Sequence, residues 1–226
     1  MTRPAPILVF DVNETLLDLT TLEPVFEALF GERRAMRDWF AELILYAQTL
    51  TVTGQYRPFN ELAAAVLRMR GEILGVEISA GDVQSLAGAI SSMPAVGDVA
   101  PALERFRAAG FRLVTLTNSP LADSPTPLER TGIAGFFEAH FSVDAVSRFK
   151  PAPVCYHQVA ETLGAPTRDL CLVACHVWDT IGAQAVGCQG AFVRRPGNAT
   201  ISLYGLPEPD FVADDLGMLA TRMGCP

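Results

Sequence analysis

The 226-residue sequence predicts an α/β fold: a mainly parallel sheet covered by helices, with a second, helical region inserted after the first strand. Three observations carry that expectation. Short runs rich in branched apolar residues alternate with segments of helical periodicity, the pattern of parallel strands joined by crossover helices. Several runs end in polar residues or a polar loop, around Asp11, Thr117 and Asp179, and open α/β sheets bind ligands at those ends. From about Leu17 to Met93 the alternation stops and helical stripes take over.

The first element, residues 7–12, opens with Ile7-Leu8-Val9-Phe10, too short and too β-branched for a helix and apolar enough for a fully buried strand. In the insertion, Phe26, Leu29 and Phe30 make one helical stripe, and Trp39, Phe40, Leu43, Ile44, Ala47 and Leu50 make a wider one. Pro94 and Gly97 mark the return to the first region. A helix is expected at 99–109, strands at 112–117 and 137–143, a helix at 154–163, a strand at 170–175, a helix at 180–186, a strand at 191–194 and a weaker one at 211–212. The expected division is one unit from residues 1–16 and 94–226 and another from 17–93. No internal repeat is visible.

Half of the residues are hydrophobic and mean hydropathy is +0.26, so the chain is globular and long enough to bury a sizeable core. Its formal net charge is -8 and its pI about 4.9, which argues against a nucleic-acid or anionic-membrane surface. An anionic ligand would therefore depend on local cations. Five cysteines, Cys155, Cys171, Cys175, Cys188 and Cys225, form no Cys-x-x-Cys pair and read as free thiols in a reducing cytosol. A zinc site from Cys171, Cys175 and His176 is disfavoured, because four strand residues separate the two thiols by roughly 13 Å. No apolar stretch approaches a membrane span and no secretory signal is evident, so a soluble, cytoplasmic protein is expected.

Four motifs then appear in order. Asp11 closes the first strand, inside Phe10-Asp11-Val12-Asn13-Glu14-Thr15-Leu16. Leu113-Val114-Thr115-Leu116-Thr117-Asn118-Ser119 is a strand ending in Thr and Asn. Phe149-Lys150-Pro151 precedes a helix carrying Tyr156. Val173-Ala174-Cys175-His176-Val177-Trp178-Asp179-Thr180 is a strand ending in a polar loop. Together, over nearly the whole chain, they resemble the haloacid dehalogenase superfamily, which implies a Rossmann-like core, an inserted helical cap domain and Asp11 as nucleophile. Within it, the Trp178-Asp179 pair, Tyr156 after Lys150 and the cap tryptophan Trp39 look like the L-2-haloacid dehalogenases.

Most members of that superfamily are magnesium-dependent phosphatases, whose pattern has a second Asp two residues after the nucleophile and a Gly-Asp-x-x-x-Asp near the end. Here those positions hold Asn13 and Ala174-Cys175, which removes an acid–base group and one hard-oxygen ligand. The dehalogenase reading needs neither a metal nor a cofactor. It implies Asp11 as nucleophile, Lys150 keeping it ionised, Asp179 orienting Lys150, and Thr117 and Asn118 binding the carboxylate of a small halogenated acid.

Glu14 and His176 form a sound water-activating pair, since the carboxylate orients the imidazole and stabilises its protonated form. The resemblance is thus to a subgroup using Glu and His where the better-known pattern has other residues. Asn13, Thr15, Trp39, Phe40, Tyr156 and Trp178 complete the substrate-facing set. Phe40 stands where the family usually has a cap arginine, and Arg37 and Arg57 read as solvated surface charges. His140 and His157 have no motif support. The resemblance implies a homodimer, which the apolar cap stripes would allow. The competing readings are hydrolysis of another small acid or a phosphate ester, and a binding protein that kept the fold.

Overall fold

The computed structural model describes residues 6–121 and 125–226. In chain order its main elements are β1 (Ile7–Phe10), α1 (Glu23–Phe30), α2 (Ala35–Val52), α3 (Phe59–Leu74), α4 (Ala80–Ser91), α5 (Val99–Ala108), β2 (Leu113–Thr117), the single turn α6 (Pro127–Arg130), β3 (Ala139–Ser142), α7 (Pro153–Leu163), β4 (Leu170–Ala174), α8 (Val177–Ala185), β5 (Gln189–Val193), β6 (Phe211–Ala213) and α9 (Leu216–Arg222). The strands form one sheet in the order β3-β2-β1-β4-β5-β6, and every neighbouring pair is parallel. Central β1 pairs Val9 with Val114 on one side and Leu172 on the other. Helices cover both faces, so β1, β2 and β4 are buried at every position and their sequences run apolar instead of alternating. Phe10 meets Phe106 and Phe137 edge-on at 6.0 and 5.8 Å.

Element ends differ from the sequence expectation where backbone turns intervene. The strand expected at 7–12 stops at Phe10, and the chain then turns through Glu14, whose φ is 67°. The strand expected at 137–143 shortens to Ala139–Ser142 because 134–136 winds into a 3-10 turn. The helix expected at 180–186 begins earlier, at Val177, so that Asp179 lies in its first turn. The weak strand at 211–212 is real and forms the sheet edge.

Between β1 and β2 the chain is helical. Trp39 on α2 packs on Phe26 of α1 at 5.1 Å between ring centroids, and its indole N–H donates to the Ala63 carbonyl of α3 at 3.1 Å. Polar contacts tie this segment to the sheet region. Tyr56 donates to Asp144, and the Phe149 N–H donates to Thr51 Oγ1 at 3.0 Å. Arg195 ties down the loop after β1, with bonds at 2.9 Å to both the Thr15 carbonyl and Asp98.

Because all the strands run one way, their carboxyl ends share one edge. Asp11, Thr117, Lys150 and His176 therefore converge there although far apart in sequence. Gly182 on α8 permits the closest approach: a Cβ at that position would come within 2.3 Å of the Pro151 Cβ and 2.9 Å of the Pro151 carbonyl. Among the described residues no helix is long and apolar enough to cross a membrane.

Candidate active site

Asp11 follows the last residue of β1, and its backbone N–H still donates to the Val173 carbonyl, which sets the direction of its side chain. Both carboxylate oxygens are held. Oδ1 accepts from Lys150 Nζ at 2.8 Å, and Oδ2 accepts from Thr15 Oγ1 at 2.7 Å and lies 3.2 Å from His176 Nδ1. Lys150 is itself fully enclosed, donating also to Asp179 Oδ2 at 2.6 Å and to the Leu116 carbonyl at 3.0 Å. The Tyr156 hydroxyl donates to the other Asp179 oxygen at 2.6 Å. Lys150 is further located by its own N–H, which donates to Asn118 Oδ1 at 2.9 Å.

On the opposite side of Asp11, His176 caps the start of α8, and its Nε2 lies 2.8 Å from Glu14 Oε2. Its ring is stacked on Trp178 at 5.1 Å and tilted against Phe40 at 5.6 Å. Glu14 is 3% exposed and occupies the left-handed backbone region, a conformation costing about 1–3 kcal/mol for a non-glycine residue and concentrated at functional sites. Its other oxygen accepts from Arg37 on α2.

The electrostatics follow from this packing. Burial alone would raise Asp11, but the Lys150 ammonium and then His176 more than reverse it and hold the carboxyl far below the usual range. Burial works against charge on Lys150 too, and Asp11 and Asp179 outweigh it, so the ammonium is retained. Burial opposes the imidazolium of His176, yet the Cys175 sulfur and the bonds to Asp11 and Glu14 raise it well above an ordinary histidine. Glu14 is lowered: burial resists ionisation, and His176 and Arg37 overcome it. Burial, with the Asp11 charge nearby, raises Asp179 despite Lys150.

The residues expected to face substrate take several different places. Asn13, Trp39, Phe40 and Thr117 line a largely apolar cavity of about 550 Å³ that Val12 also lines, while Asp11, Lys150, His176, Asn118 and Trp178 lie outside its lining. Thr15 and Tyr156, expected to meet substrate, are instead fully or almost fully buried, with their hydroxyls on Asp11 and Asp179. Asn118 spends its carbonyl oxygen on Lys150, and Asn13 donates to Ser119 Oγ at 3.0 Å. Trp178 is half-buried, with Lys150 Nζ 5.9 Å from its ring centroid. His140 is also among the lining residues, its Nδ1 3.0 Å from Thr115 Oγ1. Arg37, expected as a solvated charge, is a correction: its guanidinium bridges Glu14 and the Pro196 carbonyl.

Asp11, Cys175 and His176 present donor atoms within 4.8 Å of one another. One carboxylate, one thiol and one imidazole make a set unsuited to magnesium, which takes oxygen ligands, and Lys150 already neutralises Asp11. Cys175 enters this cluster because its N–H donates to Thr15 Oγ1 at 3.0 Å. Cys171 lies back on β4, paired with Leu8 in the sheet.

With that geometry in view, comparison with known proteins is specific. The family model of the haloacid dehalogenase-like hydrolases matches residues 6–187. A haloacetate dehalogenase of Moraxella sp. (strain B), H-2, is 27% identical over 203 residues, covering 89% of this chain and 91% of the relative. An (S)-2-haloacid dehalogenase of Burkholderia cepacia, 4A, is 26% identical over 192 residues, covering 84% and 83%. A solved L-2-haloacid dehalogenase superposes with a TM-score of 0.90 at 25% identity, covering 98% of this chain and 99% of the other.

Proposed function

This chain belongs to the haloacid dehalogenase-like hydrolases, and from that premise we propose that it hydrolyses short L-2-haloacids to D-2-hydroxyacids and halide. In this reading residues 1–16 and 94–226 are the core domain and 17–93 a cap closing over it. The observation that carries the reading is the buried Asp11, kept ionised by Lys150 on one oxygen and faced by a His–Glu pair on the other.

In the first step an Asp11 carboxylate oxygen attacks C2 of the haloacid from the side opposite the halogen. The C–O bond forms, the C–halogen bond breaks, and halide leaves with the bonding pair, inverting C2. Desolvation makes the carboxylate a better nucleophile, and Lys150 keeps it charged without sharing a proton. Thr117 and the amide nitrogen of Asn118 bind the substrate carboxylate. The rings of Trp39, Phe40 and Trp178 turn electropositive edges toward the departing halide.

Esterification removes the negative charge that favours the imidazolium of His176. The imidazole then gives up its extra proton more readily and serves as a base, oriented by Glu14. It takes a proton from water as the water oxygen adds to the Asp11 carboxyl carbon. The ester C–O bond breaks, the alkoxide takes a proton to become the hydroxyacid, and Asp11 returns to the carboxylate. The net change is one water consumed and one halide and one proton released.

The test is halide release from L- and D-2-chloropropionate in EDTA, beside an Asp11→Asn control. Release from the L form alone, abolished in the variant, is expected. Silence with both acids alongside magnesium-dependent turnover of a phosphate ester would overturn the reading.

A further inference from the structure

Arg37 leaves its own helical region to reach the loops of the sheet. Nη1 donates to Glu14 Oε1, and Nη2 donates to the Pro196 carbonyl at 2.7 Å. The second Glu14 oxygen lies against His176, so one carboxylate is gripped between a residue of α2 and the residue that opens α8. We propose that Arg37 is a positioning residue for ester hydrolysis: it holds Glu14 where that carboxylate orients His176, and it does so only while the helical segment rests on the core. The inference rests on the Glu14–His176 reading above and extends it to a residue that touches neither substrate nor the reacting atoms.

Three features make this more than an incidental ion pair. Glu14 is almost wholly buried, while the Arg37 side chain is 28% exposed, so the arginine is the lid on the carboxylate. The loop at 195–198 is shaped to the guanidinium. Gly197, with φ +84°, leaves the space that a Cβ would take, 3.2 Å from Arg37 Cζ. Charge is also matched. Asp11, Glu14 and Asp179 are three buried carboxylates beside Lys150 and His176, and Arg37 supplies the third cation.

An arginine suits the task because its planar fork serves two acceptors at fixed angles, which a lysine ammonium does less rigidly. Its place on α2 links chemistry to closure. Withdrawal of the helical segment would release Glu14 and slacken His176, so the ester would be hydrolysed only in the closed arrangement.

The experiment is rapid-quench turnover of L-2-chloropropionate by Arg37→Met and Arg37→Lys, with Glu14→Gln and His176→Asn as references. Halide is counted in the first turnover and in steady state, and the Asp11 ester is sought by intact-protein mass spectrometry. Arg37→Met is expected to give a halide burst near the parent rate, steady-state turnover slower on the order of 10–100-fold, and accumulated ester, with Arg37→Lys recovering part of the loss. Burst and steady state falling together in Arg37→Met without ester, while Glu14→Gln still accumulates it, would overturn the role of Arg37 and spare the Glu–His pair. Absence of ester in Glu14→Gln and His176→Asn as well would overturn both.

Discussion

Lys150 donates to three acceptors inside a fully enclosed pocket, so its removal strands two carboxylates together. Breaking a buried ion pair by deleting one partner costs about 3–5 kcal/mol, and Lys150→Met is expected to lose that much in chemical denaturation. Its halide release should fall on the order of a hundredfold or more, because Asp11 then resists ionisation. His176 makes the opposite kind of contribution to pH dependence. Its value is raised in the folded protein, so its stabilisation is complete below the ordinary histidine value of about 6.5 and is lost as pH rises through the higher folded value. The gap in melting temperature between the parent and His176→Asn should therefore shrink on going from pH 6 into the alkaline range. A gap constant across that range would contradict the charged imidazole. At this scale the grouping was legible through a resemblance: four ordered motifs similar to one family singled out Asp11, Glu14, Lys150, His176 and Asp179, and the fold brings those side chains together. Arg37 was not. It carries no motif, and its partner lies 23 positions away, in the loop that follows β1.

Among the elements, α8 does most to assemble the site, since it carries Asp179 in its first turn and packs Gly182 against the loop holding Lys150. Gly182→Ala must move backbone that has little room to shift. It is expected to cost about 1–3 kcal/mol, the usual range for overpacking, and to lower turnover by displacing Lys150 from Asp11. A melting curve and a halide assay on the same preparation check both. The parallel strands were readable from their unbroken apolar runs, and with them the shared edge where the site lies. Their ends were less so. Polar capping and positive-φ turns set where β1 and β3 stop, and such turns leave weak traces in a residue pattern. The roles of Thr15 and Tyr156 likewise depend on register and helix rotation, which bring their hydroxyls onto Asp11 and Asp179.

For the whole molecule, the excess of negative charge opposes the approach of an anionic acid. Screening this field should help: the Debye length falls from about 30 Å at 0.01 M to about 10 Å at 0.1 M salt. kcat/KM for a 2-haloacid is expected to rise on the order of twofold over that range, and a steep fall would point to attraction by a cationic entrance instead. The architecture concentrates compensating cations at the site, Lys150 beneath Asp11 and Arg37 beside Glu14, and leaves the remaining surface acidic. The central claim is that Asp11 forms the ester and that water attacks its carboxyl carbon. A single turnover with enzyme in excess over L-2-chloropropionate, run in water carrying heavy oxygen, tests it most directly. The account requires the heavy isotope in the peptide containing Asp11 and ordinary oxygen in the first hydroxyacid released. Heavy oxygen in that hydroxyacid, with Asp11 unlabelled, would mean that water attacks C2 directly and would contradict the account.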